Sequence, residues 1–385
     1  MRAIVCILMA AALVTTASAA QRVRFGPGVC GPIGPSYVQG ATETGGQIFP
    51  MSTAETGTVS SRIMQSHFLK ETILWASGDR EHAYAVPVDS TVVRMMFAGT
   101  FDGTGGSFTL IAPDGTPVQH GSGVEDTPMH CGRIVTIDAP ARGTWTVRMV
   151  PSSRFWLNVH AKSPLSLGAA EFVEHDARAH GDGLVKIQGR PIAGRPAMLR
   201  VSVSAALTSP SFHLVSIDAR PLQTLDLQST DTQEFSSLEY SGPVTLPAEP
   251  FRVVVTGRDA SGNETQRLWR GLFYGESIEV VPPAGETVTA GTEVPVTFTI
   301  RNHGAAAVRL NLIALEDRGP VVAVEPQTLE LDAGTEGTAI VRLAVPADAR
   351  ANSAAGVSLT ATRDDAPAVG GFNWGGKRFK VIRNP

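Results

Sequence analysis

The stretch GTWTVRMVPSSRFWLNVH, Gly143 to His160, decides the fold. Trp145, Val147 and Met149 alternate with their neighbours and so share one face of an extended segment, because successive strand side chains point to opposite sides. After Pro151-Ser152-Ser153 the same period returns in Phe155, Leu157 and Val159. Strands with this alternation belong to an antiparallel sheet packed over a core. Read as a hairpin across the short connection, the segment places Thr146, Arg148, Trp156, Asn158 and His160 on a shared outer face. Arg148 then lies opposite Trp156, and Thr146 opposite Asn158. An indole flanked by guanidinium, amide and imidazole groups suits a sugar, whose apolar ring face stacks on the aromatic while its hydroxyls bond the polar groups. These five residues are the candidate ligand-binding set. Two structural roles compete for them: a cross-strand cation–π pair between Arg148 and Trp156, and coverage of the face by a helix.

The alternation extends in both directions. Val93, Met95 and Phe97 precede it, as do Phe108 and Leu110 with the turn Pro113-Asp114-Gly115-Thr116. Leu199 to Val203 follow, then Phe251, Val253 and Val255 with the turn Asp259 to Asn263, and later Val294 to Ile300 and Val341 to Val345. Short strands at regular spacing predict an all-β fold of three tandem antiparallel β-sandwiches, over 78–163, 167–275 and 276–385. Helical spacing stands out in one place. Val59, Ile63, Met64, Phe68, Leu69, Ile73 and Leu74 recur at intervals near three and four, which predicts one amphipathic helix over 53–77. Residues 21–52, rich in Gly and Pro, read as an extended segment. Pro and Gly at 162–168 and 274–278 mark the expected proteolytic junctions.

The chain has 385 residues, 43% of them hydrophobic and 18% charged, which supplies apolar material for packed cores. Its formal net charge of −4 excludes a broadly basic surface, and with it nucleic acid as the expected partner. Arg2, the apolar run Ile4 to Val14 and the small residues Ala17-Ser18-Ala19-Ala20 form a secretory signal over 1–20, cleaved near Ala19 or Ala20. A membrane anchor is the alternative, although the run is shorter than the ~20 residues that span a bilayer. No later stretch reads as a transmembrane segment. The expected location is secreted, periplasmic or extracellular. Cys6 falls within the signal; Cys30 and Cys131 remain and form a disulfide in such a compartment, two free thiols being the alternative.

Several segments carry a family resemblance: Ala41-Thr42-Glu43-Thr44-Gly45-Gly46-Gln47-Ile48-Phe49, the helix expected after it over 53–77, Gly143-Thr144-Trp145-Thr146-Val147, Arg190 to Val201 and Phe251 to Arg267. They resemble the region after the von Willebrand factor A domain in hemicentins and related A domain-containing proteins. The resemblance implies a galactose-binding-like sandwich over 78–163 and an immunoglobulin-like domain over 167–275; residues 276–385 match a second immunoglobulin-like domain in general style. The A domain itself is missing, since too few residues precede Ala41 and its Asp-x-Ser-x-Ser metal motif occurs nowhere. Metal-dependent adhesion is therefore not implied. An extracellular binding, matrix or adhesion role is. The fold name does not imply that galactose is bound.

Enzyme signatures are missing: there is no Gly-x-Ser-x-Gly elbow, His-Glu-x-x-His helix or Gly-x-x-x-x-Gly-Lys loop. No nucleotide, metal or other cofactor is expected. His175, Asp176, His180 and Asp182 read as a solvated loop, with a metal site as the alternative, because their spacing fits one face of neither helix nor strand. Asp102 to Gly106 and Asp114-Gly115 read as turns rather than calcium ligands, each offering one carboxylate locally. His130 beside Cys131 is no nucleophile pair, since adjacent strand residues point apart. Gly370-Gly371-Phe372-Asn373-Trp374-Gly375-Gly376 reads as a bulged hairpin with Trp374 packed on the third core, or as an exposed aromatic loop. The sequence points to a secreted, non-enzymatic adhesion or recognition protein whose partner is an extracellular protein or glycan surface. The alternatives are a dedicated carbohydrate-binding protein and an extracellular enzyme with a site dispersed in sequence.

Overall fold

The computed structural model describes residues 30–383 apart from 120, 176–182, 205, 235–236, 317–320 and 367–369. The signal segment and Asp176, His180 and Asp182 lie outside the described residues. The chain divides into two compact units. The first takes the described residues through Glu171 with Leu199–Pro243 and Glu249–Phe273; the second takes Phe172–Met198, Val244–Ala248 and Tyr274–Pro385.

Strands dominate both, as an all-β fold requires, and the described residues include two short helices. Helix α1 (Pro35–Thr44) lies in the segment expected to be extended. Its ends carry recognisable signals: Pro35 opens it, where a missing N–H costs nothing, and Gly45 closes it at φ 66°. Helix α2 (Thr56–Ser66) is shorter than the expected 53–77. Val59 and Ile63 are its buried stripe, whereas Ile73 and Leu74 belong to β1 (Glu71–Gly78). That strand is buried on both faces, and the resulting apolar run imitates helical spacing.

The first sandwich continues with β2 (His82–Val88), β3 (Arg94–Asp102), β4 (Ser107–Ile111), β5 (Val124–Met129), β6 (Gly132–Asp138), β7 (Gly143–Val150) and β8 (Arg154–Lys162). A five-stranded sheet ordered β1-β8-β3-β6-β5 packs on a three-stranded sheet ordered β2-β7-β4. Trp145, Val147 and Met149 meet Phe155, Leu157 and Val159 in the core between them, so the parity read from the sequence holds. Cys30 is bonded to Cys131 in the β5–β6 turn, which fixes the start of the described chain to this sandwich.

The far side of the five-stranded sheet is a second apolar layer. Met96, Ala98 and Ile134 pack under Val59 and Ile63 of α2. Trp75 and Trp156 pack with Ile33, Ala41 and Ile48 and with Val215, Val254 and Leu268. The last three come from the next group of strands: β9 (Leu167–His175), β10 (Leu184–Lys186), β11 (Pro196–Ser204), β12 (Thr208–Ser216), β13 (Pro221–Leu225), β14 (Gln228–Glu234), β15 (Ser237–Thr245), β16 (Phe251–Arg258) and β17 (Glu264–Leu268). The sheet β13-β12-β16-β17 lies in the first unit, β10 in the second, and the division falls within β9, β11 and β15. Arg267 on β17 pairs with buried Asp89 at 2.9 Å and donates to the Leu165 carbonyl and Ser163 hydroxyl. Buried Arg252 stacks on Trp75 at 4.0 Å and donates to the Thr42 and Arg270 carbonyls. The carbonyl end of α1 and the indole face thus receive this cation, although burial pulls its pKa down to about 9.

In the second unit, β18 (Ile278–Val281), β19 (Thr287–Thr289), β20 (Glu293–Asn302), β21 (Val308–Glu316), β22 (Val321–Glu325), β23 (Thr328–Leu331), β24 (Glu336–Ala344), β25 (Ala354–Arg363) and β26 (Phe372–Ile382) form another sandwich. Its sheets run β18-β20-β24-β22 and β19-β26-β25-β21-β23 around Phe298, Ile300, Val341, Leu343 and Leu359. The short pair β19 and β26 is parallel, a departure from the expected antiparallel order.

Candidate functional site

The five residues expected on one outer face are not brought together. Strands β7 and β8 belong to different sheets, so Pro151-Ser152-Ser153 crosses the sandwich instead of closing a hairpin. Thr146 and Arg148 therefore face away from one sheet, and Trp156, Asn158 and His160 away from the other. Arg148 is exposed and bonded to Glu81, with Nε to Oε1 at 2.8 Å. Trp156 is fully buried in the second apolar layer, and Asn158 donates to the Gly45 carbonyl at 3.1 Å. A sugar-binding face built on Trp156 is thereby excluded. The covering groups are α1, the segment around Ile48 and the β12-β16-β17 sheet.

Asn158 and His160 instead border a cavity of about 50 Å³ with Gln47 and Arg270. Gln47 donates through Nε2 to Thr100 at 2.7 Å and to the Trp156 carbonyl at 3.1 Å. The other amide oxygens, Gln47 Oε1 and Asn158 Oδ1, have no protein donor. Burial first, and then the Arg270 charge, push the His160 imidazole down to about 4. This cavity suits water rather than a sugar or a polymer.

The second unit carries a different surface. Trp374 does not pack on the core as expected and is not in a loop: it lies on β26 and points outward, 40% exposed. Cross-strand register aligns Ile313, Thr360 and Trp374 in one row, and Leu315, Ser358 and Gly376 in the next. Ile313 and Leu315 are exposed as well. The sequence held a signal for this, because in Val308–Glu316 apolar side chains occupy both parities: Leu310 and Leu312 enter the core while Ile313 and Leu315 remain outside. Parity reading alone stops at the inward set.

The Trp374 backbone is held firmly. Asn373 donates to the carbonyls of Arg190 (3.1 Å) and Ile278 (2.7 Å), and its Oδ1 accepts from the Arg190 N–H at 2.8 Å. The Arg190 guanidinium lies between the rings of Tyr274 and Phe372, at 4.1 and 3.7 Å, and pairs with buried Glu276 at 3.3 Å. Burial raises the Glu276 carboxyl despite this arginine. Gly189 sits at φ 70°, and a Cβ there would lie 2.2 Å from Asn373 Oδ1, so no other residue admits this approach.

Trp374 borders two hollows. One, of about 630 Å³, also has Met198, Arg195 and Glu279 in its wall. Burial raises the Glu279 carboxyl, but the His303 hydrogen bond and the charges of His303, Arg301 and Arg195 outweigh it and leave the pKa lowered. The other, of about 450 Å³, is bordered by Leu315, Gly356, Ser358, Gly376, Lys377 and Arg378. Gln188 closes its edge by accepting the Gly376 N–H at 2.6 Å. Volumes of this order hold small ligands or saccharide units. No cluster of three or more potential metal ligands occurs among the described residues.

No protein-family model and no curated protein matches the chain. Among solved structures it is similar to the Bacillus licheniformis lipase BlEst2 in propeptide form, at 13% identity, 51% coverage of this chain and 40% of that one, with a TM-score of 0.25. It is also similar to native E. coli alpha-2-macroglobulin, at 12% identity, 80% and 23% coverage and a TM-score of 0.28. The three-domain titin segment I67–I69 is 9% identical, with 80% and 94% coverage and a TM-score of 0.16. The chain spans less than half of the lipase and of the macroglobulin, and likenesses at these TM-scores assign neither family nor activity.

Proposed function

We propose that the protein is an extracellular, non-enzymatic recognition protein and that the Trp374 face of its second unit is the contact surface. The observation that carries the reading is an exposed indole, on a strand fixed by Arg190 and Asn373, between two hollows. Large exposed aromatics on a pre-organised backbone are where binding energy concentrates, because little entropy is lost on contact. The disulfide supports an oxidising compartment. No helix among the described residues is long and apolar enough to cross a membrane. The resemblance to the region after the A domain in hemicentins supports a role in adhesion or matrix contact.

The test compares capture of partners from the native extracellular fluid by the immobilised wild type and by Trp374→Ala. The reading expects the variant to lose its bound material at an unchanged unfolding midpoint. Equal capture by both would remove Trp374 from the contact surface.

A further inference from the structure

We propose that the Trp374 face receives a second copy of this chain, the second units of two chains packing sheet on sheet about a two-fold axis along β25, an assignment that rests on the reading of this face as the contact surface. The exposed apolar side chains lie on the two strands that flank β25. Trp374 on β26 is 40% exposed, and Ile313 and Leu315 on β21 are 57% and 61% exposed. Register puts Ile313, Thr360 and Trp374 in one row and Leu315, Ser358 and Gly376 in the next. The second row therefore has a large side chain on β21 and none on β26. The hollow of about 450 Å³ is bordered by Leu315, Ser358, Trp374 and Gly376.

A surface with this pattern is complementary to itself. A two-fold axis along β25 lays β26 of one copy over β21 of the other and keeps the order of the rows, an isologous contact. Each Leu315 then enters the other copy's hollow above Gly376, and each Trp374 packs on the other's Ile313. Ser358 and Thr360 lie on the axis and meet their own counterparts, where a hydroxyl is both donor and acceptor. Neither row contains a charged residue, as suits the centre of an interface. The area is sufficient. Strands β21, β25 and β26 have 9, 10 and 11 residues. At ~4.8 Å spacing, with the short β19 and β23 beside them, they give the face roughly 600 Å² in projection. Two such faces remove about 1,200 Å² from water, the lower end for stable, specific interfaces. Reversible pairing follows.

Sedimentation equilibrium of the full chain tests the pairing. The expected result is a monomer–dimer equilibrium with a dissociation constant on the order of 10 µM, unweakened by added salt because the central rows are uncharged. Leu315→Glu should weaken the dimer roughly tenfold or more, since symmetry buries the new charge twice. Gly376→Val fills the hollow and should act alike. A Cβ at Gly376 would have the Ser358 Cβ as its nearest neighbour at 3.4 Å, an ordinary contact, so this variant should keep its unfolding midpoint. Val93→Glu, at a comparably exposed site in the first unit, should leave association unchanged. Mixed Gly376→Cys and Leu315→Cys chains should form a disulfide-linked pair that neither variant forms alone. A chain that stays monomeric well above the expected constant overturns the assignment, as does a dimer that Leu315→Glu and Gly376→Val leave intact or that Val93→Glu weakens equally. If the chain is monomeric while Trp374→Ala still loses partner capture, the contact surface stands and the self-pairing falls. If Trp374→Ala changes neither capture nor association, both readings fall.

Discussion

Trp156 and Trp374 have the same side chain and opposite surroundings, and their substitution separates packing from contact. Trp156→Ala opens a void in the second apolar layer and should cost about 3 to 5 kcal/mol of stability in the first unit. Trp374→Ala should stay within about 1 kcal/mol of wild type, the usual range for exposed sites. Urea unfolding of both variants checks the pair, and a large loss at Trp374 with none at Trp156 would reverse the assignment. His160 adds a pH signature. Its folded pKa, pushed down to about 4 from 6.5, means the unfolded chain holds more protons between these values. Stability from this residue is therefore fully present above pH 6.5 and lost as pH falls towards 4. His160→Gln should flatten the stability profile across that window relative to wild type; parallel profiles would show that the imidazole is not desolvated.

Helix α1 depends on how its end is closed. Gly45 takes φ 66°, and a Cβ there would lie 2.7 Å from the Arg270 carbonyl. Gly45→Ala should therefore cost more than the ~1 kcal/mol usual for such a backbone position, measurable by thermal unfolding, whereas a neutral effect would contradict the described contact. Both end signals of α1, Pro35 and Gly45, stood in the sequence, hidden by the general Gly and Pro content around them. The core parity of β7 and β8 was legible for a different reason: strand alternation is local, so Trp145 and Phe155 reveal their inward faces without knowledge of the rest. What lies outside a strand is not local. Trp156 is buried because Ile48, Val215 and Leu268, far away in sequence, settle on it, and Pro151-Ser152-Ser153 is compatible with either a hairpin or a crossing. For the same reason the Gly-flanked Trp374 was visible as unusual, but its outward direction followed only from its register with Thr360 and Ile313.

At the scale of the whole molecule, the 162–168 junction is closed in the structure. Arg267, itself paired with buried Asp89, bonds Ser163 and Leu165. Limited proteolysis of the native chain should leave this stretch intact, and early cleavage there would contradict these contacts. Reduction of Cys30–Cys131, which are 101 residues apart, should lower stability by up to roughly 4 to 5 kcal/mol, checked by unfolding with and without reductant. The central claim concerns which tryptophan meets the partner, and oxidative footprinting tests it directly. In the free chain Trp374 should be oxidised well before buried Trp75, Trp145 and Trp156, and saturation with captured partner should protect it. An unchanged oxidation rate of Trp374 in the complex, with protection appearing elsewhere, would contradict the account.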